Sequence, residues 1–185
     1  IGPRSYDSVK AQDLYYLDEV RRYGVDEQEG AVPSRTITDR AIDVGRSQDP
    51  NRLMVHYMRP HEPYNAGDDP LGHHVIQRLQ RGELDRDRVW NSYLDNLRAV
   101  LDEVDILLEN VDADDVIITA DHGEAFGEWG FYGHTIACPH PCVKRVPWAK
   151  TSANDEETYK SKIEVPPRQE VNPDVDDHLK DLGYL

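Results

Sequence analysis

Between Asp85 and Val111 the apolar residues Val89, Tyr93, Leu97, Val100, Val104, Leu107 and Val111 recur at three- and four-residue spacing. That spacing gathers them into one stripe of a long helix, and the stripe has to be buried against the rest of the fold. The segment Asp115-Val116-Ile117-Ile118-Thr119-Ala120 comes directly after it and is short and β-branched, which suits a strand covered on both faces. Arg52 to Met58 reads as an earlier strand, so the chain spells strand, helix, strand. A crossover of that length joins parallel neighbours. The prediction is an α/β fold with a mostly parallel sheet flanked by helices. Parallel pairing would carry the C-terminal ends of both strands to one sheet edge, where open α/β sheets place their sites.

The residues at those two ends bear chemistry. The later strand runs into Asp121-His122-Gly123-Glu124 and the earlier one into Pro60-His61-Glu62-Pro63. Successive side chains of a strand point to opposite faces, so Asp121 and His122 reach one ion only if the backbone turns, and Gly123 permits a turn. Carboxylate oxygen with imidazole nitrogen suits zinc, manganese or a similar divalent cation, and Asp121 alone would also suit calcium or magnesium. The competing reading makes Asp121 the cap of a following helix and His122 a solvated loop residue. A glycine-rich stretch from Phe126 to Trp148 then carries His134 and the strand-like Val146-Pro147-Trp148.

With PHEPY, the helix beginning VWNSYLDNLRAVLDEVD, TADHGEAFGEWGFYGH, KRVPW and the terminal HLKDLGYL in this order, the chain resembles the C-terminal half of a sulfatase of the alkaline phosphatase superfamily. The matching segments cover most of residues 50 to 150 and the last ten. The resemblance implies an alkaline-phosphatase-like sheet and a small-molecule sulfate or phosphate ester as substrate. It also implies a divalent metal ion, whether calcium, magnesium, manganese or zinc. Asp121 and His122 match the family's metal-binding pair. His61 matches a histidine that contacts the transferred group or its leaving oxygen. His134 falls where many sulfatases have a lysine on the anionic group and where phosphatase-like members have a metal-binding histidine. His61 and His134 are thus the implied catalytic and substrate-binding residues. Two-metal members place an aspartate four residues before the first histidine, and here that position is Tyr57.

The resemblance also exposes an absence. Family members begin with a strand ending in metal-binding aspartate and then a Cys, Ser or Thr nucleophile, Cys or Ser standing in a C/S-x-P-S-R context. Ala31-Val32-Pro33-Ser34-Arg35 imitates that motif, but Ala31 carries no oxygen or sulfur. Thr36-Ile37-Thr38-Asp39 does not continue it, and Val32-Pro33-Ser34 reads better as the start of a helix through Ala41 to Gly45. The expectation is an incomplete, N-terminally truncated domain over residues 1–150, with the nucleophile-bearing half as its missing partner. Three functions compete: an ester hydrolase completed by that half, an inactive acidic binding remnant, and a phosphodiesterase or phosphoethanolamine-type transferase using the same site.

Charge narrows the partners. The net charge of −15 is spread along the chain, and such a surface repels nucleic acid and anionic membrane, so neither is expected. Arginine outnumbers lysine, and the composition resembles the acidic, halophilic proteomes of archaea, a mesophilic acidic protein being the plainer alternative. No apolar run approaches membrane-spanning length and Ile1-Gly2-Pro3-Arg4 is no secretory signal, so a cytoplasmic location is expected.

The remaining segments complete the expectations. Ser8 to Tyr23 reads as a helix closed by Gly24, Pro33 to Arg46 as the next helix, and His73-His74 as a solvated helix start. Residues 151–173, with Pro166 and Pro167, read as an exposed acidic linker, and 174–185 as a terminal domain holding a short helix, Val175 to Leu182. Cys138, His140 and Cys142, with His134 nearby, have the types for a small zinc site. Two intervening prolines stiffen that loop, and a local disulfide or free thiols fit the same residues.

Overall fold

The computed structural model describes residues 14, 16–27, 29–135 and 138–162. Val20–Ile163 form one compact unit, and a second unit of Ile1–Glu19 and Glu164–Leu185 lies almost wholly outside the described residues. The expected helix at Val175 to Leu182 is among the undescribed residues. Of the one expected over Ser8 to Tyr23, the described part holds a 3-10 turn at Val20–Arg22, closed by the Gly24 N–H on the Val20 carbonyl at 2.7 Å.

Three helices organise the larger unit: α1 over Ser34–Gln48, α2 over Val75–Gln80 and α3 over Arg86–Leu108. The carboxylate of Asp85 starts α3 by accepting from the N–H groups of Asp87 and Arg88 at 2.9 and 3.2 Å, which satisfies donors that the helix itself cannot. The apolar stripe of α3 serves two clusters. Near its start Val89 packs with Tyr64, Leu71, Val75, Leu79, Leu84 and Phe126. Near its end Leu107 packs with Ala41 and Ile42 of α1, with Val55, Tyr57 and Tyr159 alongside.

The sheet departs from expectation. Strand β1, Ala113–Thr119, pairs antiparallel with β2, Trp148–Ala153, with Ile117 opposite Lys150 and Thr119 opposite Trp148. These are the only strands among the described residues, which show no parallel pairing. Arg52–Met58 forms no strand. It is an extended segment whose alternate residues Val55 and Tyr57 face the helices while Met54 is 94 % exposed, so its two-residue period reflects packing on helices rather than a sheet neighbour. Nor is β1 covered on both faces, for Ile117 is 47 % exposed.

The expected linker is also partly ordered. Residues 151–153 finish β2, and the chain then lies across the ends of α1 and α3. Asn154 and Glu156 donate their N–H groups to the Leu108 and Glu109 carbonyls at 3.0 and 2.9 Å. Arg46 grips Asp155 through Nε and Nη2 at 2.7 and 2.6 Å and donates from Nη1 to the Tyr159 carbonyl at 2.8 Å. Buried Asn110 accepts from the Tyr159 N–H at 2.8 Å and donates to the Thr158 hydroxyl at 2.9 Å. No described helix is long and apolar enough to cross a membrane.

Candidate active site

His61 sits on a turn that α3 holds from inside. Asn96 is fully buried at the middle of that helix. Its Nδ2 donates to the Pro63 carbonyl at 2.9 Å and the His61 carbonyl at 3.3 Å, while its Oδ1 accepts from the Ala66 N–H at 3.1 Å. One side chain therefore satisfies the inner backbone groups of the loop, which no regular element could do. Glu62 ties the same loop to α2, its Oε2 accepting from the Val75 N–H at 2.7 Å.

Asp121 and His122 follow β1 directly. Gly123 is required there by proximity: a Cβ would fall on the Cys142 carbonyl oxygen, and the Gly123 N–H donates to the Val143 carbonyl at 3.0 Å. Its role is close approach rather than a left-handed turn. The chain then forms a hairpin in which Ala125 and Gly133 exchange both backbone bonds, at 3.3 and 2.9 Å. That exchange sets Glu124 and His134 side by side at the hairpin base, with His134 Nδ1 at 3.1 Å from Glu124 Oε2.

Three imidazoles converge. The His122 and His134 rings stack at 4.2 Å between centroids and 24° between planes, and His61 meets His134 edge-on at 5.6 Å. Each ring has its Nδ1 occupied. A carbonyl oxygen only accepts, so the 2.8 Å contact of His61 Nδ1 with the Glu62 carbonyl and the 3.0 Å contact of His122 Nδ1 with the Gly123 carbonyl assign the hydrogen to Nδ1 in both. Outer hydrogen bonds of this kind orient metal-binding histidines, with Nε2 of each ring as the position that faces a ligand. His134 differs: its bond to Glu124 outweighs burial and holds the imidazole pKa above its ordinary value, favouring the cation. Burial would raise Asp121, but the charge of His122, two backbone N–H bonds and His56 draw its carboxylate below the usual range.

The pair Asp121 and His122 passes a simple fit test for a divalent ion. Asp121 Oδ2 and His122 Nε2 lie 3.6 Å apart, close to the ~3.3 Å between neighbouring ligands at tetrahedral angles and bond lengths of ~2.0–2.1 Å. Among the described residues, however, no three His, Cys, Asp or Glu side chains form a complete metal cluster. Cys138 is buried and Cys142 partly so, both as free thiols, and His140 Nδ1 is taken by the Cys142 N–H at 3.1 Å, so of the alternatives left open for these residues the structure shows free thiols. His74 stands at the position before α2 with no capping bond from its side chain, and it and His73 are exposed, in line with a solvated helix start.

All four sequence-derived residues thus lie in one neighbourhood. Glu124, Asn96 and His56 were not singled out by sequence. Glu124 was hidden by its place inside a motif already assigned to its neighbours. Asn96 did leave a signal, a polar residue on the buried stripe between Tyr93 and Val100.

The sulfatase family model matches residues 3–166. No curated protein and no solved structure matches the chain.

Proposed function

The chain belongs to the sulfatase family, and from that premise we propose that it provides the metal- and anion-binding part of a hydrolase acting on small-molecule sulfate or phosphate esters. The observation that carries this reading is the convergence of His61, His122 and His134 beside Asp121, with each Nδ1 pinned. Asp121 and His122 would hold the divalent ion, which when bound polarises the ester's anionic oxygens and acidifies a nucleophile. The His134 imidazolium, kept charged by Glu124, neutralises the oxyanion as charge builds on it. His61, its Nδ1–H held by the Glu62 carbonyl, can give the leaving oxygen a proton from Nε2 only in its doubly protonated form, and the neutral ring then keeps its hydrogen on Nδ1. His134 in place of lysine favours tolerance of phosphate as well as sulfate. Ala31, which has no attacking atom, occupies the reactive position of the one segment resembling the nucleophile motif, so the roles proposed for these 185 residues are binding, orientation and proton transfer.

The test joins this chain to the coding sequence upstream and assays nitrophenyl sulfate and nitrophenyl phosphate. The joined protein should turn over one or both, and Asp121→Ala should abolish turnover, whereas the 185 residues alone stay near background. Robust turnover by the 185 residues that survives Asp121→Ala would overturn the assignment.

A further inference from the structure

Trp129 occupies a position that neither the turn nor the core requires. Its side chain is 77 % exposed, and its backbone sits at φ 52°, ψ 23°, the left-handed region in which a bulky residue is an outlier. Glycine would adopt that conformation without strain. The strain is sustained by the surrounding bonds. Glu128 Oε2 accepts from the Phe126 N–H at 2.6 Å and its Oε1 accepts from Arg86 Nη2 at 2.7 Å, while Arg86 Nε donates to the Phe126 carbonyl at 3.1 Å. These contacts clamp the hairpin tip to the start of α3, so the indole is displayed by a rigid support. Strained residues over-determined in this way gather at ligand-binding sites.

A second ring stands against the indole. His140 lies 4.5 Å from Trp129 between centroids, at 90°, and the Cys142 N–H fixes its orientation through Nδ1 at 3.1 Å. The two loops share a small core of Ala125, Cys138 and Val143. Both also lead back to the candidate site: the hairpin base carries Glu124 and His134, and the Val143 carbonyl holds Gly123 beside His122. Trp129 is four residues from Gly133 along the hairpin, at most ~13 Å of extended chain.

We propose that Trp129 and His140 form a subsite for a flat ring in the leaving-group portion of the ester, which stacks on the open indole face while the anionic group is held at the hairpin base. The chemistry recognised is an aromatic π-face, and the proposal rests on the hydrolase reading given above. Calorimetric titration of the full chain with 2-naphthyl sulfate, inorganic sulfate and 2-naphthol separates the two. Trp129→Gly should weaken 2-naphthyl sulfate at least fivefold, leave inorganic sulfate within twofold, and leave the melting temperature unchanged or raised, since a structural tryptophan would lower it. Trp129→Phe should retain part of the affinity, and Trp129→Asn, whose side chain tolerates the left-handed backbone, should repeat the glycine result if that variant fails to fold. Unchanged 2-naphthyl sulfate affinity in Trp129→Gly or Trp129→Asn would overturn the subsite. If wild type binds no inorganic sulfate, the hydrolase reading fails instead; the subsite then stands on 2-naphthol binding that Trp129→Gly abolishes and falls if that binding is absent or unaltered.

Discussion

Replacing Asn96 by leucine keeps the volume at the centre of α3 and removes the polar contacts that this side chain makes to the His61 loop. The Ala66 N–H and the Pro63 carbonyl then lose their partners at 3.1 and 2.9 Å. A buried group left unsatisfied costs about 1–3 kcal/mol, so two of them place the expected loss at ~2–6 kcal/mol. Asn91, exposed on the same helix, is the control: Asn91→Leu should change stability by no more than ~0.5 kcal/mol. Urea unfolding reads both, through midpoints at unchanged slope. The loss should be accompanied by a local effect, with the His61 imidazole NMR signals moving more than those of His122, which does not share a ring contact with it. Equal costs for Asn96→Leu and Asn91→Leu would refute the claim that α3 holds the loop from inside.

Other expectations follow from the same contacts. Burial, only partly offset by the Thr38 hydroxyl at 3.0 Å, pushes Tyr57 up to about 12. Its phenol should therefore ionise late in an absorbance titration, and its contribution to stability, full below the ordinary tyrosine value near ~10, should decline as pH rises through about 12. Arg46→Ala should cost ~1–2 kcal/mol, the pair with Asp155 being only partly exposed, and amide exchange of Asn154 to Tyr159 should accelerate ahead of global unfolding. The net charge of −15 predicts a higher unfolding midpoint in molar potassium chloride than in dilute buffer, and equal midpoints would remove the salt-adapted reading.

The helical core was legible because its signal is local. The stripe from Val89 to Leu107 fixes α3 with a single period, and Asp85 marks its start as a cap should. The sheet was not, because pairing is a long-range property. Val55 and Tyr57 show that residues 52–58 are extended but not whether another strand or a helix lies against them. The partner that β1 takes, Trp148–Ala153, is almost wholly exposed and lacks a β-branched run, so its sequence is that of a loop. At the site, Asp121, His122, His61 and His134 could be found because histidine is scarce, with eight in the chain, and because the family resemblance marks these four positions. Glu124 and Asn96 act on backbone or on another side chain, through distances that no spacing encodes.

In the proposed site Asp121 and His122 hold a divalent ion beside the other two histidines. Titrating zinc and manganese into the 185-residue chain, with binding followed by calorimetry and by the His122 and His134 imidazole signals, tests it directly. One ion should bind per chain, perturbing the His122 signals, and binding should be lost in both Asp121→Ala and His122→Ala with the fold retained. Undiminished binding in those two variants, or no binding by the wild-type chain, would contradict it.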